Sequence, residues 1–187
     1  MDKTYADTVR LLLAVAPDVF ANDIFAMKGG TAINLFVRDM PRLSVDIDVV
    51  YLPWQTPRDE ALQAINQELA AIAARVAPLG VQTRLVRAKD LGDTKLIVEN
   101  DASQVKIEVN VVFRGSVLPV ERRPLSAKTS DLFGVEFELP VLAPDELYAS
   151  KLVAALDRQH PRDLFDVWQL YESGDISDGM VECFVIY

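Results

Sequence analysis

Asp46 and Asp48 stand two residues apart in SVDIDVVYL (44–52), interleaved with Val45, Ile47 and Val49. β-branched residues alternating with acids predict a strand, and residues two apart on a strand share a face. Two carboxylates side by side raise each other's pKa unless a cation lies between them. Magnesium suits such a pair, because it takes hard oxygen ligands and leaves its other positions to water and phosphate. Taken alone, the alternation also describes the wet face of an ordinary antiparallel sheet.

The residues upstream weight the choice. Gly29 and Gly30 follow IFAM, and Thr31 opens TAINLFVRD, whose Ile33, Phe36 and Val37 have helical spacing. Glycines let a backbone approach a ligand closely. Thr31 is placed to cap the helix, and helix N-terminal amides attract phosphate. Glycine turn, helix start and acid pair together suit a nucleoside triphosphate with its metal. Without the acids, an ordinary tight turn accounts for the glycines. A third carboxylate comes from QVKIEVNVVF (104–113), where Lys106, Glu108 and Asn110 share one face against Ile107, Val109 and Val111. Glu108 either joins the pair to hold two ions or is an exposed glutamate on a half-buried strand.

Lys151 has Leu147, Tyr148, Ala154 and Ala155 as its helical neighbours, so its charge lies on or beside an apolar stripe. It either snorkels past the core edge or reaches an anion in a cleft. Asp163 and Asp166, three apart on the next helix, form with it either a structural ion pair or a phosphate-handling pair. His160, the single histidine, reads as a loop residue between helices, and Cys183, the single cysteine, as buried packing. The chain contains no Gly-x-x-x-x-Gly-Lys-Ser/Thr loop, zinc-ligand spacing or Gly-x-Ser-x-Gly elbow.

These side chains need elements to hold them. Periodicity predicts a helix over 3–16 ended by Pro17, a helix over 58–76, and strands over 81–88, 94–99 and 104–113. VEFELPVL reads as a further strand, PDELYASKLVAALDR and PRDLFDVWQLYE as helices opened by proline, and 114–130 as a linker. The outline is a mixed α/β lobe over 1–115 and a mostly helical C-terminal lobe over 116–187. The apolar residues 180–187 read as a docked last element or as a lobe cut short; the expectation is truncation.

A net charge of −9 argues against a protein that coats nucleic acid nonspecifically. RLVRAK (84–89) and ERRPLSAK (121–128) offer local RNA contacts, or a solvated face and a loop. No apolar run has bilayer-spanning length and the N-terminus is amphipathic rather than signal-like. The expected setting is cytoplasmic, with no membrane partner.

KGGTAINLF (28–36), RLSVDID (42–48), KIEVN (106–110) and SKLVAALDRQHPRDLFDVWQL (150–170) together resemble the AbiEii-type nucleotidyltransferase toxins of bacterial abortive-infection and toxin–antitoxin systems. The resemblance implies an α+β fold, with a polymerase-β-like nucleotidyltransferase lobe built on a mixed sheet and a helical C-terminal lobe. It assigns the nucleotide to Lys28, Gly29, Gly30, Thr31, Ser44 and Lys151, and magnesium to Asp46 and Asp48 with Glu108. Lys151, Asp166 and the nearby Asp163 complete the implied catalytic set. Gly-Gly-Thr replaces the Gly-Ser of the general pattern, the gap before Asp-x-Asp is longer, and family members usually run longer. The implied activity is magnesium-dependent transfer of a nucleoside monophosphate from NTP to an acceptor hydroxyl. The tRNA 3′ end is the implied acceptor and an antitoxin the control partner. Nucleotidylation of a protein hydroxyl, or a nucleotide- or partner-binding module without turnover, remain alternatives.

Overall fold

A computed structural model describes residues 3–88, 92–174 and 176–187. In chain order the first elements are α1 (Lys3–Val19), β1 (Phe25–Lys28) and α2 (Gly29–Ala32), which continues as a π-helical turn (Ile33–Val37). Next come β2 (Ile47–Tyr51), α3 (Arg58–Val76), β3 (Gln82–Ala88), β4 (Gly92–Glu99) and β5 (Gln104–Asn110). The remainder is β6 (Glu121–Pro124), α4 (Ala127–Phe133), β7 (Glu138–Val141), α5 (Pro144–Arg158), α6 (Pro161–Ser173) and α7 (Asp178–Ile186).

The strands make one mixed sheet in the order β3-β4-β5-β2-β1-β7-β6. β2 runs parallel to β5, and β1 parallel to β7, while the remaining neighbours are antiparallel. Alternation along each strand decides which face is covered. Leu96 and Val98 of β4, and Val105, Ile107 and Val109 of β5, are buried in the core with Leu12 of α1 and Ile65, Leu69 and Ile72 of α3. The intervening Lys106, Glu108 and Asn110 are more exposed. α3 carries Asp59 and Glu60 in its first turn and Arg75 in its last, the polarity its macrodipole favours. α5 packs against α6 and α7.

Several local expectations shift. α1 runs on through Pro17 to Val19, because a proline in the last turn removes one backbone bond while Val15, Ala16 and Val19 stay buried. β5 stops at Asn110, whose Oδ1 accepts from the N–H groups of Val112 and Phe113 at 3.0 Å each and turns the chain out of the sheet. The stretch 114–130, which reads as a linker, carries β6 and the start of α4, where the Ser126 side chain accepts from the Thr129 N–H. The sheet therefore takes two of its strands from beyond residue 115. The apolar residues 180–187 fold mainly as α7, with Met180 and Cys183 buried. No helix among the described residues is long and apolar enough to cross a membrane.

Candidate active site

Strand register builds the site's floor. Lys28 of β1 pairs with Asp48 of β2, Asp48 with Glu108 of β5, and Glu108 with Lys95 of β4. Cross-strand partners share a face, so a charge row of the form plus, minus, minus, plus crosses four adjacent strands. Like charges directly opposite one another destabilise a sheet. Lys95 Nζ relieves one of them, donating to Glu108 at 2.9 Å. Among the described residues, the Asp48 and Asp46 carboxylates have no hydrogen bond or ion pair. Burial, then the neighbouring charges of Glu108 and Asp46, push the Asp48 carboxyl up to about 6, against the pull of Lys151 and Lys28. An under-compensated acid of this kind in a cleft is a candidate functional group. The cleft above it holds about 430 Å³ and is lined by Lys28, Gly29, Asp48 and Glu108 from the sheet side, and Ser150 and Lys151 from α5.

Gly29 lets β1 turn into α2 directly over Asp48. Its φ is +78°, and a side chain there would collide with the Asp48 carboxylate. The Lys28 side chain makes no capping hydrogen bond at the start of α2. Its ammonium has no carboxylate within ion-pair distance among the described residues. Burial pushes the Lys28 pKa down, while Asp48 and Glu146 pull it back and Lys151 adds to the fall. A lysine held this way gains from an anion entering the cleft.

Lys151 is anchored from behind. Its Nζ lies 2.8 Å from Asp163 Oδ1 and 3.3 Å from Asp166 Oδ2, both on α6. Asp166 also accepts two bonds of 2.6 Å from the Nε and Nη2 groups of Arg42, a forked pair. Arg158 Nε donates to Asp163 at 2.7 Å. Burial raises the Asp163 pKa, but bonds from Arg158 and Lys151 outweigh it and hold the carboxyl below its usual range. Asp163, Asp166 and Lys151 are all buried.

With this geometry in view, residues 10–187 match the family described as nucleotidyl transferase AbiEii toxin, type IV toxin–antitoxin system. The chain belongs to the AbiEii family. It is similar to the solved structure of MenT4, a nucleotidyltransferase toxin from Mycobacterium tuberculosis H37Rv, with a TM-score of 0.66 and 21% identity. That likeness covers 98% of this chain but only 65% of MenT4, so this chain spans less than two thirds of its length. A second similar structure, the antibiotic-resistance factor ANT(2″)-Ia, gives a TM-score of 0.55 and 14% identity over 100% of this chain and 92% of that one. No curated protein matches the chain. At these identities the two structures speak for the fold, which is the expected α+β arrangement with a mixed sheet.

Of the residues the sequence singles out, Lys28, Gly29, Asp48, Glu108 and Lys151 line one cleft. Gly30, Thr31, Ser44 and Asp46 do not line it, and neither do Asp163 and Asp166. Asp46 lies just before β2 instead of within it, and acts on Asp48 through its charge. Thr31 does not cap its helix: α2 already starts at Gly29, and the buried Thr31 hydroxyl shares a 3.0 Å hydrogen bond with Ser44. Gly30 makes room for protein rather than ligand, since a side chain there would collide with the Arg42 guanidinium and stand 2.9 Å from Ser44 Oγ.

Among the described residues no three His, Cys, Asp or Glu side chains stand close enough to hold a metal by themselves. The donors present nevertheless fit magnesium arriving with a triphosphate, which needs only one or two carboxylates besides phosphate and water. Arg42, Arg158, Phe113, Glu146 and Tyr187 escape the sequence reading. Arg42 sits inside RLSVDID, yet its partner Asp166 lies 124 residues away. Only Arg158, five residues before Asp163, carries a local signal.

Proposed function

We propose that this chain is a nucleotidyltransferase that moves a nucleoside monophosphate from an NTP to an acceptor hydroxyl, releasing pyrophosphate, as the toxin of a toxin–antitoxin system. The observation that carries this reading is the in-register Asp48–Glu108 pair on parallel strands, flanked by Lys28 and facing Lys151 across one cleft. Membership of the AbiEii family supports it, as does the description of MenT4 as a nucleotidyltransferase toxin.

Asp48, with Asp46 and Glu108 beside it, would hold magnesium, which when bound would supply charge neutralisation at the triphosphate and a lowered pKa for the attacking hydroxyl. The chain's own residues position the substrates. Gly29 leaves the floor open at the strand–helix junction, so phosphates meet backbone amides and the Lys28 ammonium together. Lys151, fixed by Asp163 and Asp166, presents a charge whose direction is set before substrate arrives. Asp163 and Asp166 act through Lys151 and Arg42, not on the nucleotide. Gly30, Thr31 and Ser44 brace the turn from behind. The acceptor is the tRNA 3′ end, the setting the cytoplasm, and the control partner an antitoxin.

Incubation with each labelled NTP, magnesium and total RNA tests this. Wild type is expected to label a tRNA-sized species, and Asp48→Ala to leave it unlabelled. Equal labelling by Asp48→Ala, or none by wild type, would overturn the reading. Label in the protein fraction alone would reassign the acceptor.

A further inference from the structure

The cleft has an aromatic wall that phosphate chemistry leaves unused. Phe113, in the turn that ends β5, packs on Tyr187 with ring centroids 5.0 Å apart and planes tilted by 39°. Both rings line the same cleft as Asp48 and Lys151. They adjoin the charged row, because Lys28 Nζ stands 5.5 Å from the centre of the Tyr187 ring. The polar edge of Tyr187 is tied down from the other side. Its hydroxyl donates to Glu146 at 2.9 Å, and burial, then the Glu146 charge and that bond, push its pKa far up. Glu146 is itself fully buried on α5 and accepts from the N–H groups of Val117 and Leu118 at 3.0 Å. One buried carboxylate therefore fixes both the Tyr187 ring and the segment that follows Phe113.

Phe113 nevertheless keeps 40% of its surface exposed. A large apolar ring left part-open where it lines the cleft, next to a second ring tied to Glu146, has surface free for a further packing partner. The missing partner is flat and apolar on its faces, and it is joined to an anionic group that reaches Lys28 and Lys151. A nucleotide has that chemistry.

We propose that Phe113 and Tyr187 form the nucleobase-stacking wall of the nucleotide site. The proposal rests on the nucleotidyltransferase reading and locates the end of the substrate away from the phosphates. Stacking on aromatic side chains is tolerant of base identity, because every base has a π-face. The wall therefore confers affinity for all four NTPs with little discrimination among them.

The test compares two probes on the whole chain by calorimetry in magnesium: each NTP, and inorganic tripolyphosphate, which has no base. Phe113→Ala and Tyr187→Leu are expected to weaken every NTP by about ten- to a hundredfold, the loss of one stacked base, and to leave tripolyphosphate affinity unchanged. Tyr187→Phe keeps the ring and is expected to retain most of the NTP affinity. Phe113 is part-exposed, so its truncation is readable even where Tyr187→Leu loosens α7. Undiminished NTP binding by Phe113→Ala and Tyr187→Leu would overturn the wall. So would an equal loss for both probes, which would make the rings structural. If wild type bound tripolyphosphate but NTP no more tightly, the wall alone would fall; if it bound neither, the nucleotide reading would fall with it.

Discussion

Two groups of carboxylates, alike in sequence, live under opposite electrostatic conditions. Asp163 and Asp166 on α6 are buried but satisfied: Lys151, Arg158 and Arg42 supply charged donors at 2.6–3.3 Å. Asp48 faces Glu108 and Asp46, and among the described residues its own carboxylate has no hydrogen bond or ion pair. An acid already paired with cations gains little from another, whereas an under-neutralised one is stabilised by any cation that arrives. The α6 acids anchor Lys151 and Arg42, and the β2 acid is the one an added cation would relieve.

The largest effect is expected from Asp48→Asn in the label-transfer assay. Losing a preorganised charge at the reacting phosphate is worth roughly 10²- to 10³-fold in rate. Folding should not suffer, because the substitution removes a half-buried charge that its acidic neighbours oppose. Asp166→Ala is expected to show the reverse order of effects. It leaves the Arg42 guanidinium and Lys151 ammonium short of a buried partner, a loss of roughly 3–5 kcal/mol in urea unfolding. If Asp48→Asn unfolded the chain as readily as Asp166→Ala, the contrast would collapse.

The pH dependence of stability sharpens it further. Asp48 titrates at about 6 when folded, above the roughly 3.9 of an unfolded aspartate. Between these values the folded state binds more protons, so this group's contribution to stability falls as pH rises from about 4 to 6. Asp163 runs the other way: its lowered folded pKa gives stability that is present above the unfolded value and lost as pH falls through the folded one. Metal-free urea melts at pH 4.5 and 7 should therefore show Asp48→Asn gaining stability on wild type at the higher pH. The gain should shrink at the lower one.

The alternation of acids with β-branched residues made Asp48 and Glu108 legible, because one strand's pattern fixes which face a side chain takes. It could not show that β2 and β5 are parallel neighbours in register, which is what makes the two acids a pair. Lys151 was legible as a charge on an apolar stripe, yet its anchoring depends on α6 folding back over α5. Arg42 was invisible as the partner of Asp166 because nothing local links positions 124 residues apart. Thr31 misled because helix-start chemistry was assigned to the hydroxyl, whereas the helix begins two residues earlier at Gly29. The stretch 114–130 misled because Gly, Pro and Ser suggest a linker, while pairing with β7 makes part of it an edge strand.

The smallest expected effect concerns the end of the charge row. Lys95 and Glu108 form a 2.9 Å pair whose side chains are 44% and 33% exposed. Solvent screening limits such a pair to about 1 kcal/mol or less. Lys95→Ala should therefore leave the unfolding midpoint almost unmoved. Its influence on the cleft has a definite sign, because Lys95 competes for Glu108 with any cation bound beside Asp48. Removing it should lower the magnesium concentration that gives half-maximal label transfer, by no more than about fivefold, the factor equivalent to that pair energy. An unchanged magnesium requirement would leave Glu108 outside the metal's ligands and Asp48 to act with Asp46 alone. A raised requirement would mean that Lys95 helps the cleft hold its substrate, and the row would then serve phosphate at both of its cationic ends.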